Sequence, residues 1–130
     1  MSQVFESSAI YKIEYELIKN VKNFRLERGW SQRTLSKNMG LSETFVGKCE
    51  AIDQPEKYNL RHINILKEVF NFESLDDLYP DGLPKDQLIK LRYKKVPKLK
   101  VDGTYSKFFE TEVIKTIIMN DSTKVKSNNS

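Results

Sequence analysis

Residues 31–50, SQRTLSKNMGLSETFVGKCE, constrain this chain more than any other stretch. They start on Ser31, break at Met39-Gly40-Leu41 and restart on Ser42. A serine hydroxyl can accept from a free backbone N–H in a first helical turn, so Ser31 suits an N-cap, with Leu35 and Met39 facing one way. Gly40 stands where a helix can end on a left-handed residue. Ser42 is then expected to cap a third helix, with Val46 and Cys49 on its inner side. One longer helix would nucleate more easily, so two short ones need a reason. Two short helices across a glycine turn form a helix-turn-helix unit. Its steep crossing lets one helix brace on a DNA backbone while the other lies in the major groove.

Residues 8–28 carry Ile10, Ile13, Leu17, Val21 and Phe24 at steps of three and four, one stripe of a helix that Gly29 ends. The β-branched and aromatic residues near Tyr11 leave the first third of that segment open to being a separate turn. A fourth helix is expected from Asn59 through Ile63, Leu66, Val69 and Phe70, following a loop that contains Pro55. Ser74 caps a short fifth piece, LDDLY, which Pro80 stops. The expected core joins Trp30 and Met39 to Leu17, Val21, Phe24, Leu35, Leu41, Val46, Ile63, Leu66, Phe70, Leu75 and Leu78. This predicts an all-α fold with a five-helix domain at residues 14–80.

The character changes after Pro80. Residues 1–79 hold eleven basic and twelve acidic side chains, residues 80–100 seven against two, and residues 101–130 four against four. The whole excess behind the net charge of +4 therefore sits in one short stretch. Within it Ile89, Leu91 and Tyr93 alternate with Lys90, Arg92 and Lys94, as in a strand; a basic helix over residues 86–95 is the competing reading. Pro97 is expected to break the segment, and Asp102-Gly103 is a two-residue hairpin signal. Phe108, Phe109, Val113, Ile114, Ile117 and Ile118 suit an amphipathic helix over residues 104–119. Residues 81–119 thus form a basic C-terminal extension, a hairpin plus one helix or two helices, and the polar residues 120–130 read as a disordered tail.

Composition narrows the function. With 38% hydrophobic and 31% charged residues in a chain of 130, a modest core is within reach and wholesale disorder is not indicated. The apolar runs are too short to span a membrane, and the start lacks a basic segment followed by an apolar one, so the cytoplasm is the expected location. A single cysteine, Cys49, cannot close an intrachain disulfide, and with one histidine, His62, it cannot build a zinc site. No nucleophile with a base, paired carboxylates in an apolar setting or phosphate-cradling glycine loop is evident, so neither an enzyme nor a cofactor is expected.

The combination of Arg25 in NFRLERGWSQ, Ser31-Gln32, Leu35-Ser36, Gly40-Leu41-Ser42, Phe45-Val46-Gly47, Glu50 and SLDDLY resembles the helix-turn-helix family of the phage lambda repressor and Cro, the class called xenobiotic-response-element regulators. The run PEKYNLRHINILKEVF resembles a subgroup from Bacteroidota. The resemblance covers about half of the chain. It implies that Gln32 holds a phosphate and buttresses the recognition helix, with Arg33 beside it on the DNA side. Glu43, Thr44 and Lys48 fall where base-reading side chains stand, and Phe45 where an aromatic residue lies on the sugar-phosphate backbone. Gly47 would let the backbone approach DNA, and Arg25 and Glu50 would form an inward salt bridge. The chain departs from the family after Glu50, where Ala51-Ile52-Asp53 replace a basic residue and a glycine. Lys57 and Arg61 are then the loop's remaining phosphate donors.

Each assignment has a plainer alternative. Glu43 can accept from cytosine or simply complement a helix dipole. Phe45 is covered by DNA, by another protein, or by its own second helix. Arg25 and Glu50 are a buried pair or ordinary surface charges. Lys90, Arg92, Lys94 and Lys95 grip flanking phosphates or guard an exposed sheet edge. The expectation is a sequence-specific regulator of double-stranded DNA that acts by occupancy as a homodimer. The alternative is a protein-interaction adaptor, such as an antitoxin, whose partner is another protein.

Overall fold

The computed structural model describes residues 3–100 and 102–119. In chain order the elements are β1 (Phe5–Glu6), β2 (Ile10–Tyr11), α1 (Lys12–Glu27), α2 (Gln32–Asn38), α3 (Phe45–Glu50), α4 (Leu60–Val69), a 3-10 turn (Leu75–Leu78), β3 (Leu88–Leu99) and β4 (Tyr105–Ile118). All strand pairs are antiparallel, and β3 is the hub: β1 and β2 lie along one of its edges and β4 along the other.

This corrects the expectation of an all-α, lambda-repressor-like five-helix fold. The described residues are mixed α/β, with four α-helices and a four-stranded antiparallel sheet. Three local causes account for the difference. Helix α1 starts only at Lys12, because Ile10 and Tyr11 are taken into the sheet opposite Ile89 and Leu88. Ser7 bridges the gap between β1 and β2: its N–H donates to the Leu91 carbonyl at 2.8 Å, and its hydroxyl accepts from the Leu91 N–H at 2.9 Å. Ile13, expected on the buried stripe of α1, is exposed, and that stripe instead runs through Tyr15, Leu17, Ile18, Val21 and Arg25.

The basic segment takes the strand form rather than the helix, with Ile89, Leu91 and Tyr93 buried and Arg92 exposed. Pro97 does not end it; it pairs with Phe109 inside β3. β1 and β2 reach along β3 only as far as Tyr93, so among the described residues the rest of β3 has β4 as its sole strand neighbour. A residue without an N–H is tolerated where one edge is open.

The helix expected over residues 104–119 is a strand, β4. Its apolar doublets imitate a helical stripe, but Thr111, Val113, Ile114, Thr116, Ile117 and Ile118 are β-branched and favour extended backbone. In a strand each doublet puts one side chain on either face. Leu75, expected in the core, is also exposed. Residues 120–130, expected to form a polar tail, lie outside the described residues.

Helices and sheet share one core. Leu17, Ile18, Val21, Leu35, Val46, Cys49, Leu66 and Leu78 cluster with Ile10, Ile89 and Leu91 from the strands. The 3-10 turn is tied to α1 through Asn20, whose amide donates to the Leu78 carbonyl at 3.0 Å, and through Tyr79, whose hydroxyl donates to the Ile13 carbonyl at 2.8 Å.

Candidate nucleic-acid interface

Helices α2 and α3 are locked to each other by one buried hydroxyl. Ser36 donates to the Gln32 carbonyl at 2.9 Å, one turn back, and accepts from the Val46 N–H of α3 at 3.0 Å. Between the helices Gly40 turns the chain at φ 72°, in the left-handed region that side chains resist. Ser31 caps α2, accepting from the Thr34 N–H at 3.0 Å. Ser42 does not cap α3: the helix begins at Phe45 with Thr44 as N-cap, and the Ser42 and Thr44 hydroxyls bond to each other at 3.2 Å.

Beneath this pair lies a chain of buried polar contacts. Arg25 grips Glu50 bidentately, Nε to Oε2 at 2.9 Å and Nη2 to Oε1 at 2.7 Å, with side chains only 6% and 4% exposed. Arg25 also donates to the Trp30 carbonyl at 2.9 Å. Gln32 Nε2 donates to Glu50 Oε1 at 2.9 Å, while its Oε1 accepts from Lys98 Nζ at 2.9 Å. The hairpin is therefore clipped to α2 through Gln32, and α2 to α1 and α3 through Glu50. A Cβ placed on Gly47 would stand 3.0 Å from Gln32 Oε1, so the glycine makes room for this side chain.

The outward side of the unit carries Arg33, Glu43, Thr44 and Lys48. Arg33 and Glu43 pair with each other at 3.1 Å, both largely exposed, a contact worth no more than about 1 kcal/mol. Lys48 is exposed and makes no ion pair among the described residues. Phe45 is turned away from this side. It packs on His62, ring centroids 4.5 Å apart, and edge-on against Tyr58 at 5.9 Å, so its cover is α4 and the preceding loop rather than α2. Lys57 is engaged by its own loop, donating to the Gln54 and Glu56 carbonyls. Arg61 is exposed on α4.

The four cations expected to form a phosphate-gripping arm all have carboxylates at hand. Lys90 and Arg92 both face Glu6, Lys94 faces Glu112, and Lys95 faces Asp53. Two further side chains, Ser36 and Lys98, hold the unit together without an assigned role in the sequence pattern. Ser36 carries a signal, a serine inside a helix, which can bond back to the preceding turn. Lys98 carries none that separates it from its neighbours.

Burial pushes the Cys49 thiol up to about 12, so it stays protonated at neutral pH and packs as a small apolar group. Burial, then the neighbouring Arg61, hold His62 below its ordinary value; its Nδ1 accepts from the Asn59 N–H at 3.0 Å in a capping box. Among the described residues no three His, Cys, Asp or Glu side chains gather as a metal site, and no helix is long and apolar enough to cross a membrane. Comparison with protein-family models, with curated proteins and with solved structures returns no match.

Proposed function

We propose that this chain is a sequence-specific regulator of double-stranded DNA, working in the cytoplasm by occupying its site, with α3 and the turn before it as the reading element. The observation that carries the reading is Lys48, exposed and unpaired among the described residues, on a helix held rigidly by Ser36 and by the Arg25–Glu50–Gln32 contacts. A short helix fixed in this way can enter a major groove about 12 Å wide, where a lysine donates to guanine and a threonine offers its methyl to thymine. Thr44 and Lys48 are the principal readers. Glu43 reads only after exchanging Arg33 for a base, and Arg33 is freed toward phosphate in the same exchange.

Occupancy is proposed as a homodimer, because one module contacts limited DNA and a second half-site multiplies affinity. The outer edge of β4, unpaired among the described residues, is the proposed joint. The test is selection of bound duplexes from a random-sequence pool with the full chain. An enriched two-fold-related site, weakened tenfold or more by Lys48→Ala with an unchanged melting temperature, is the expected result. Enrichment that Lys48→Ala and Thr44→Ala leave untouched would sink the base-reading assignment.

A second reading, the protein-interaction adaptor, is favoured by one feature. Tyr105, Phe108, Phe109, Ile114 and Ile118 are all exposed on β4, and such an edge can accept a strand from another protein. A pool selection that enriches no duplex would put that reading first.

A further inference from the structure

We propose that the tip of the β3–β4 hairpin, through Lys98, Lys100 and Lys107, is the part of the chain that grips the backbone phosphates of duplex DNA beside the α2–α3 unit. This rests on the DNA-binding reading above and replaces the expected arm of Lys90, Arg92, Lys94 and Lys95. Three observations carry it. First, position: Lys98 Nζ reaches Gln32 Oε1 at 2.9 Å, and that same oxygen lies against Gly47 of α3, so the tip stands at the shared edge of the two helices that would meet DNA. Second, availability: each cation of the expected arm already faces a carboxylate of the fold, whereas Lys98, Lys100 and Lys107 have no ion pair among the described residues. Lys98 has a neutral amide oxygen as partner, so its charge is not offset there as it would be by an anionic phosphate oxygen.

Third, the carboxylates near the tip already have hydrogen-bond donors, and Asp102 keeps its charge beside Lys100. Asp102, the carboxylate of the turn, is occupied by the Thr104 N–H at 2.9 Å and the Thr104 hydroxyl at 2.7 Å. Glu110, further down β4, accepts from Lys22 at 3.2 Å and from the Leu99 N–H at 3.3 Å. The tip thus presents ammonium groups that have no ion pair among the described residues, Lys98 on a neutral amide oxygen and Lys107 over the Phe108 ring.

The experiment uses the full chain and the duplex it enriches from a random pool, with affinity measured by fluorescence anisotropy at rising KCl. Glutamine is the replacement, because Lys98→Gln removes the charge and keeps a donor for Gln32. Each DNA phosphate that the protein ceases to neutralise lowers the slope of log affinity against log salt by about 0.9. The triple variant Lys98→Gln, Lys100→Gln, Lys107→Gln is expected to flatten the slope by about 2 to 3 units, and the quadruple variant Lys90→Gln, Arg92→Gln, Lys94→Gln, Lys95→Gln to leave it near wild type. An unchanged slope in the triple variant while Lys48→Ala still weakens binding overturns the tip assignment and leaves the DNA reading standing. A slope flattened by the quadruple variant alone returns the grip to the base of the hairpin. Failure of the wild-type chain to enrich any duplex overturns the DNA reading and the tip with it.

Discussion

Tyr58 sits in the core with its hydroxyl buried and without a hydrogen-bond partner among the described residues. An unsatisfied buried hydroxyl costs about 1 to 3 kcal/mol. Tyr58→Phe keeps the ring contacts with Phe45 and His62 and removes that cost, so thermal melting should move up by a few degrees; a lower midpoint would mean the hydroxyl is satisfied in solution. His62, its neighbour, carries a pH dependence of definite sign. Its value is lowered in the fold, so the stability it contributes is complete above about pH 6.5 and is lost as pH falls through the depressed value. Protonation would also remove the Nδ1 acceptor from the Asn59 N–H. His62→Gln offers a non-titrating acceptor at the same capping position. Its melting temperature should therefore fall less than that of wild type between about pH 7 and pH 5; parallel curves for the two proteins would exclude His62 as the titrating group.

Between elements, the buried Arg25–Glu50 pair joins α1 to α3. Removing one partner strands a charge, so Arg25→Ala is expected to cost about 3 to 5 kcal/mol in denaturant unfolding, while Arg25→Met with Glu50→Leu costs less than either single change. A loss in the double variant equal to the sum of the losses in Arg25→Met and Glu50→Leu alone would mean the charges do not act as a pair. The helices were legible where a cap marks their start, as Ser31, Asn59 and Ser74 do, and where Gly40 marks an end. β4 was not, because Phe108-Phe109, Val113-Ile114 and Ile117-Ile118 fit a helical stripe, and only pairing with β3 settles the backbone. Tyr11 and Ile10 were misplaced for the same reason: their partners lie near the far end of the sequence. The contacts that Ser36 makes to Val46 and Lys98 to Gln32 depend on distances between elements, which no local pattern carries.

Across the whole molecule, the sheet is no appendage to the helices. Ile89 and Leu91 are 1% and 0% exposed inside the cluster that holds Leu17, Val21 and Leu66. A chain cut after Pro80 would lose these side chains and the partner strand of β1 and β2 together. Such a truncation is expected to give a non-cooperative melt and greatly raised protease sensitivity; a sharp transition from it would show that the helices hold a core alone.

Ser7 and Leu91, which exchange hydrogen bonds at the edge of β3, are 84 residues apart in the chain. Closing so long a loop is entropically costly, and folding slows as contacts become less local. During synthesis the helices are complete well before β3 exists, and Phe5 and Ile10 have no strand to join until it does. Residues made before the helices are thus among the last to find their places, and the sheet matures at the pace of segments that lie far apart in the sequence.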